Sequence, residues 1–180
     1  MSQSGLVAPA ASSQLKPGLL RQLSHLAVRT EKMPEIRAFY EDFLGLPMVT
    51  SLVADENPDD GMPTNYIHCF FQMADGSCIA FFQVEKGAMG DPFPRTSDAL
   101  EHHVAFRVDE KATVDLYAAR AKQFGFEPLV IDHDDFYSVY MPDPDGEMVE
   151  VTWHKPSVAE IIDPVAAHRI LDNWLASVAK

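Results

Sequence analysis

HLAVR at residues 25–29 returns as HVAFR at residues 103–107. In both stretches His, Ala and Arg stand at alternate positions with apolar residues between them. Alternate residues of a strand share one face, so His25, Ala27 and Arg29 lie together, as do His103, Ala105 and Arg107. The pattern downstream of each copy recurs as well. PEIRAFYEDFLG places Ile36, Phe39, Tyr40 and Phe43 at helical spacing and stops at Gly45; after the second copy Val114, Tyr117, Ala121 and Phe124 fall on one face before Gly125. Apolar strand-like runs then flank an Asp-Gly turn in each half. They are NYIHCFFQM and SCIAFFQV about Asp75-Gly76, and LVID, YSVYM and MVEVTW about Asp145-Gly146. The polar stretch SLVADENPDDGMP (51–63) reads as a long loop. The repeat predicts an α+β fold of two tandem βαβββ modules, whose strands form a cupped, barrel-like mixed sheet, followed by a C-terminal helix.

The rest of the chain is organised around this repeat. Residues 1–20, rich in Ser, Ala, Gln and Pro without periodicity, read as a flexible N-terminal arm. The modules occupy 21–86 and 99–155, and the Gly- and Pro-containing 87–98 is a linker. Within 156–180, Ile161, Ile162, Val165, Ile170, Leu171, Trp174 and Leu175 suit a terminal helix docked on the body or on a second subunit. A chain of 180 residues with 47% hydrophobic and 23% charged residues buries a core without staples. A net charge of -13 argues against a nucleic-acid partner, because phosphate binding needs clustered Lys and Arg. No apolar run approaches the roughly 20 residues that cross a bilayer, so no membrane partner is expected. The N-terminus lacks the basic and apolar regions of a secretory signal, and there are two cysteines, Cys69 and Cys78. A cytoplasmic protein with reduced thiols is expected.

The chemistry gathers on one face. Apolar Leu26, Val28, Val104, Phe106 and Val108 must pack under the helices, which turns the His-bearing face to the opposite, concave side. In PDPDGEMVEV (142–151) Glu150 stands between Val149 and Val151, on the face of Met148 and Thr152. A lone carboxylate there is costly to bury, and coordination to a divalent cation removes that cost. His25, His103 and Glu150 together form a two-histidine, one-carboxylate set suited to non-haem Fe(II). Taken singly, His25 reads more readily as a hydrogen-bonded or surface strand residue than as a ligand, and Glu150 equally as a residue on a wet sheet face. His102 is a rival to His103, but adjacency sends it to the other face.

With these residues the chain resembles the vicinal oxygen chelate superfamily, the paired βαβββ proteins that include glyoxalase I, bleomycin-resistance proteins, epimerases and type I extradiol ring-cleaving dioxygenases. The resemblance covers about residues 21–154. IDHDDFYSVYMPDPDGEMVE (131–150) looks like the extradiol signature through Ile131, His133, Val139-Tyr140, Asp143-Pro144-Asp145-Gly146 and Glu150. The resemblance implies that His25, His103 and Glu150 hold Fe(II), with Mn(II) as the alternative. It implies that His133 and Tyr140 hydrogen-bond near substrate and oxygen, and that His68 in YIHC is the catalytic acid-base group. Its implied partners are a small aromatic diol and O2, and single-pair members of the family suggest a homodimer.

Two departures bear on the reaction. This chain has one pair of modules where the best-known extradiol enzymes have four. Four residues beyond Gly146 stands Glu150, whereas four beyond Gly76 stands Ala80, where glyoxalase I carries a fourth ligand. Ala80 coordinates nothing, which favours a three-ligand site with room for a bidentate substrate. Two other activities stay open: a metal-dependent isomerase, epimerase or lyase of the same fold, and a metal-free bleomycin-resistance-type binding protein.

Overall fold

The computed structural model describes residues 20, 22–57, 61–88 and 98–178, the side chains of 160 and 161 excepted. Most of the expected arm (1–20) and linker (87–98) lies outside them. The first half contains β1 (His25–Arg29), α1 (Met33–Arg37), β2 (Met48–Glu56), β3 (Pro63–Gln72) and β4 (Cys78–Val84). The second contains β5 (Val104–Val108), α2 (Lys111–Gln123), β6 (Leu129–Asp132), β7 (Phe136–Pro142) and β8 (Met148–His154). Two further helices close the chain, α3 (Val158–Ile161) and α4 (Pro164–Val178).

Each half builds its own four-stranded mixed sheet, in the order β1-β4-β3-β2 and β5-β8-β7-β6. The first strand of each is parallel to the last, and the remaining pairings are antiparallel. The repeat therefore yields the α+β pair of cupped βαβββ modules that it predicts. Gly76 and Gly146 adopt φ of 86° and 90° in the turns before β4 and β8, a region that side-chain-bearing residues disfavour.

Helical spacing decides what is buried. Ile36, Phe39, Tyr40 and Phe43 are each at most 3% exposed. The helix widens after α1 into a π-helical stretch, Ala38–Phe43, in which the Leu44 N–H donates to the Phe39 carbonyl at 2.8 Å. Their rings meet residues of the other half: Phe39 and Phe43 each lie 5.5 Å from Phe126. The Tyr117 hydroxyl donates to the Leu44 carbonyl at 2.6 Å, and Arg120 Nε to the Phe43 carbonyl at 2.9 Å. The core thus joins the helical sides of both modules, with Phe71, Ile79 and Phe81 from one sheet and Val139, Val149 and Val151 from the other.

One buried polar link crosses between the halves. The Tyr40 hydroxyl donates to Asp143 Oδ2 at 3.1 Å, while Asp143 Oδ1 accepts from the Asp145 and Glu147 amides. Replacing Tyr40 by Phe leaves the ring and removes a donor to a buried carboxylate. It is expected to lower stability by about 1–3 kcal/mol, read as a lower urea midpoint with unchanged slope.

Two expectations are corrected. The stretch 51–63 is not a loop throughout, because β2 runs from Met48 to Glu56 and pairs with β3 from Thr50↔Phe70 to Ala54↔Tyr66. This edge strand is exposed along almost its whole length, so no buried face imposed an alternating pattern; it is held chiefly by its backbone ladder to β3. Of the two dockings expected of the terminal helix, the one on the body is not made by α4, which leaves the one on a second subunit. The helix has no buried residue, and Ile170 and Trp174 are each 63% exposed.

Candidate functional site

In β8, Val149 and Val151 face the core at 0% and 1% exposure, and alternation turns Glu150 to the other side. Ala105 of β5 and Tyr140 of β7 flank Glu150 in register. Glu150 is nevertheless only 7% exposed, so its carboxylate needs partners. Tyr140 donates its hydroxyl to Glu150 Oε1 at 3.0 Å, and His133 Nε2 lies 3.2 Å from the same phenol oxygen. With the phenol proton given to Glu150, His133 Nε2–H is the donor in the second bond. Burial, then the hydrogen bond to the Glu150 carboxylate and its charge, push the Tyr140 phenol up to about 12. The phenol therefore stays protonated and available as a donor.

His103, just before β5, completes this group. Its Nε2 is 3.2 Å from Glu150 Oε2, and its Nδ1 is 2.7 Å from the Ala99 carbonyl. A carbonyl accepts only, so Nδ1 carries the proton there. A second proton on Nε2 makes this contact an ion pair, and with a neutral imidazole a cation shared by the Nε2 lone pair and the carboxylate oxygen satisfies it equally. The donor chemistry of this pair fits a divalent metal. His102, by contrast, pairs through Nδ1 with Glu147 Oε1, away from this group as alternation requires.

The corresponding face of the first sheet carries His25 and His68. His68, on β3, is 8% exposed and stacks on Phe82 with centroids 3.5 Å apart; Phe70 lies 4.2 Å away. The His25 ring meets His68 edge-on at 6.0 Å. His68 Nε2 is buried and has no hydrogen-bond partner among the described residues. Burial, assisted by the charge of His25, lowers the His68 pKa below 6.5. Register also locates the missing carboxylate. Ala27↔Ala80↔Phe70 in the first sheet repeats Ala105↔Glu150↔Tyr140 in the second, so Ala80 holds the seat of Glu150 and Phe70 that of Tyr140.

The six candidate residues therefore form two groups. His103, Glu150, Tyr140 and His133 are together, and His25 is with His68. The two groups do not merge: among the described residues no three His, Cys, Asp or Glu side chains are grouped to hold a metal ion. The reason lies in the core. The modules pack through their helical sides, so each His-bearing face is turned away from the surface they share.

Beside Glu150 lies a cavity of about 470 Å³ lined by residues including Ala105, His133, Asp135, Tyr140 and His154. Sequence reading did not single out Phe70 and Phe82 as the aromatic wall of His68, although period-two alternation in IHCFF and IAFF puts them on its face. It also missed Lys155. Its Nζ reaches Asp132 Oδ1 at 2.5 Å and the His133 carbonyl at 2.6 Å, and its amide donates to the Asp135 carbonyl at 2.9 Å. No local pattern marks such a clamp.

Known structures share this fold. A lactoylglutathione lyase from Agrobacterium tumefaciens is 26% identical, with 77% of this chain and 96% of that one aligned at a TM-score of 0.54. A glyoxalase/dioxygenase from Nostoc punctiforme is 23% identical over 81% and 99% of the two chains, with a TM-score of 0.58. A point variant of the fosfomycin resistance protein FosX from Listeria monocytogenes, complexed with Mn(II) and 1S,2S-dihydroxypropylphosphonic acid, is 20% identical over 81% and 100%, with a TM-score of 0.57. No curated protein matches the sequence. Residues 22–151 match the Glyoxalase/Bleomycin resistance protein/Dioxygenase superfamily, and with most of its length so matched the chain belongs to that superfamily.

Proposed function

We propose that this protein is an extradiol ring-cleaving dioxygenase acting on a catechol-type aromatic diol, with His103, Glu150 and His25 holding Fe(II), or alternatively Mn(II). The observation that carries this reading is the array His103, Glu150, Tyr140 and His133, in which a histidine lone pair and a carboxylate face one point and two donors stand beside it. Because His25 belongs to the other group, the third ligand comes from a second copy of the chain in a homodimer. Exchange of half-sites about a two-fold axis builds two equal sites.

A bound Fe(II) supplies a positive charge that favours the deprotonated diol and a common centre for diol and O2. The chain's residues do the rest. His68 is kept neutral by its burial and carries a buried nitrogen unpaired among the described residues, so it is suited to take a hydroxyl proton from the diol and return it after ring opening. Tyr140 holds a proton ready to donate, and His133 steadies its oxygen. Phe70 and Phe82 exclude water around His68.

Anaerobic purification with an iron assay, followed by oxygen-electrode turnover of simple diols, tests the reading. Iron without oxygen uptake would favour the isomerase or lyase alternative, for which the lactoylglutathione lyase is the relevant neighbour. The pH profile gives a further check. With the neutral imidazole as base and its pKa depressed, activity should persist below pH 6.5 and fall only as pH drops through the lowered value. Replacing His68 by Gln should remove that acid limb and cost about a hundredfold in kcat.

A further inference from the structure

The cavity beside Glu150 has a wall whose charge is one-sided. Asp134 and Asp135 line it together with Glu150, and none of its described lining residues is Lys or Arg. Lys155, beside the loop that carries these carboxylates, is bound to Asp132 and the His133 carbonyl, and Arg107 lines a separate cavity along β1, β4 and β5. The carboxylates are also held in place. Three hydrogen bonds from Lys155 pin residues 132, 133 and 135, so the loop that presents Asp134 and Asp135 cannot swing away to relieve repulsion without breaking the clamp.

We propose that this wall selects diols by charge: the substrate's ring carries a neutral or cationic substituent, and diols bearing a carboxylate are rejected by Asp134 and Asp135. The selection rests on the dioxygenase reading, since it is Glu150 and Tyr140 at the base of the cavity that define the reacting end. A carboxylate substituent entering beside these side chains meets like charge at an open, solvent-lined wall, where the repulsion is modest and weakened by salt. An ammonium substituent meets the opposite sign. Methyl or hydrogen meets neither.

The test is oxygen uptake by the iron-loaded full chain with a methylcatechol, a dihydroxyphenylacetate and a dihydroxyphenethylamine, at low and high salt. The expected result is kcat/KM at least about tenfold lower for the acetate than for the amine, with the ratio shrinking as salt screens the wall. In the double variant Asp134→Asn, Asp135→Asn the same ratio should collapse towards one. Equal kcat/KM for all three diols, or a preference for the acetate, overturns the charge selection and leaves the dioxygenase intact. A lack of oxygen uptake with every diol overturns both.

Discussion

Replacing Glu150 by Gln is expected to lower turnover on the order of a thousandfold and to strip most of the iron, because it removes the one carboxylate from a three-ligand set. The substitution is nearly isosteric, so packing between Val149 and Val151 survives and the loss reports charge. A second readout does not depend on catalysis. In the metal-free protein the Tyr140 phenol is pushed up to about 12, by burial first and then by Glu150. Glu150→Gln removes the charge and leaves the burial, so the phenol should ionise at lower pH but stay above the ordinary value of 10. An ultraviolet titration, with Tyr140→Phe to assign the signal, measures this. If Glu150 served only to accept the Tyr140 hydrogen bond, the phenol would still shift but iron content and turnover would stay nearly unchanged.

Mixing two inactive proteins is expected to restore activity. His25→Ala lacks the ligand of the first module and Glu150→Gln lacks that of the second. In a mixed dimer whose sites take His25 from one copy and Glu150 from the other, one site inherits both wild-type residues and the other inherits both substitutions. Random reassortment makes about half the dimers mixed, so recovery should approach about one quarter of wild-type activity. A site built within one chain gives no recovery, since every chain in the mixture is then defective. Separation by two distinguishable affinity tags confirms that mixed dimers formed, so a mixed dimer without activity would rule out exchanged half-sites.

Much of the fold was legible because it rests on local periodicity. The recurrence of His, Ala and Arg at 25–29 and 103–107, the helical spacing of Ile36, Phe39, Tyr40 and Phe43, and the two Asp-Gly turns each report a constraint acting within a few residues. The seat of Glu150 was legible for the same reason, and register confirms that Ala80 is its counterpart. Strand β2 was not legible, because a strand exposed on both faces carries no burial pattern and exists through its ladder to β3. The clamp from Lys155 and the carbonyl beneath His103 were invisible too, being contacts between a side chain and a backbone brought near only by folding.

The amino-acid order alone determined two repeated modules and, by strict alternation along each strand, which side chains share the face opposite the helices. Which faces meet belonged to tertiary structure. The aromatic cluster about Phe39, Phe43 and Phe126 joins the modules through their helical sides. That packing, driven by burial of apolar surface, parts His25 and His68 from His103 and Glu150 within one chain.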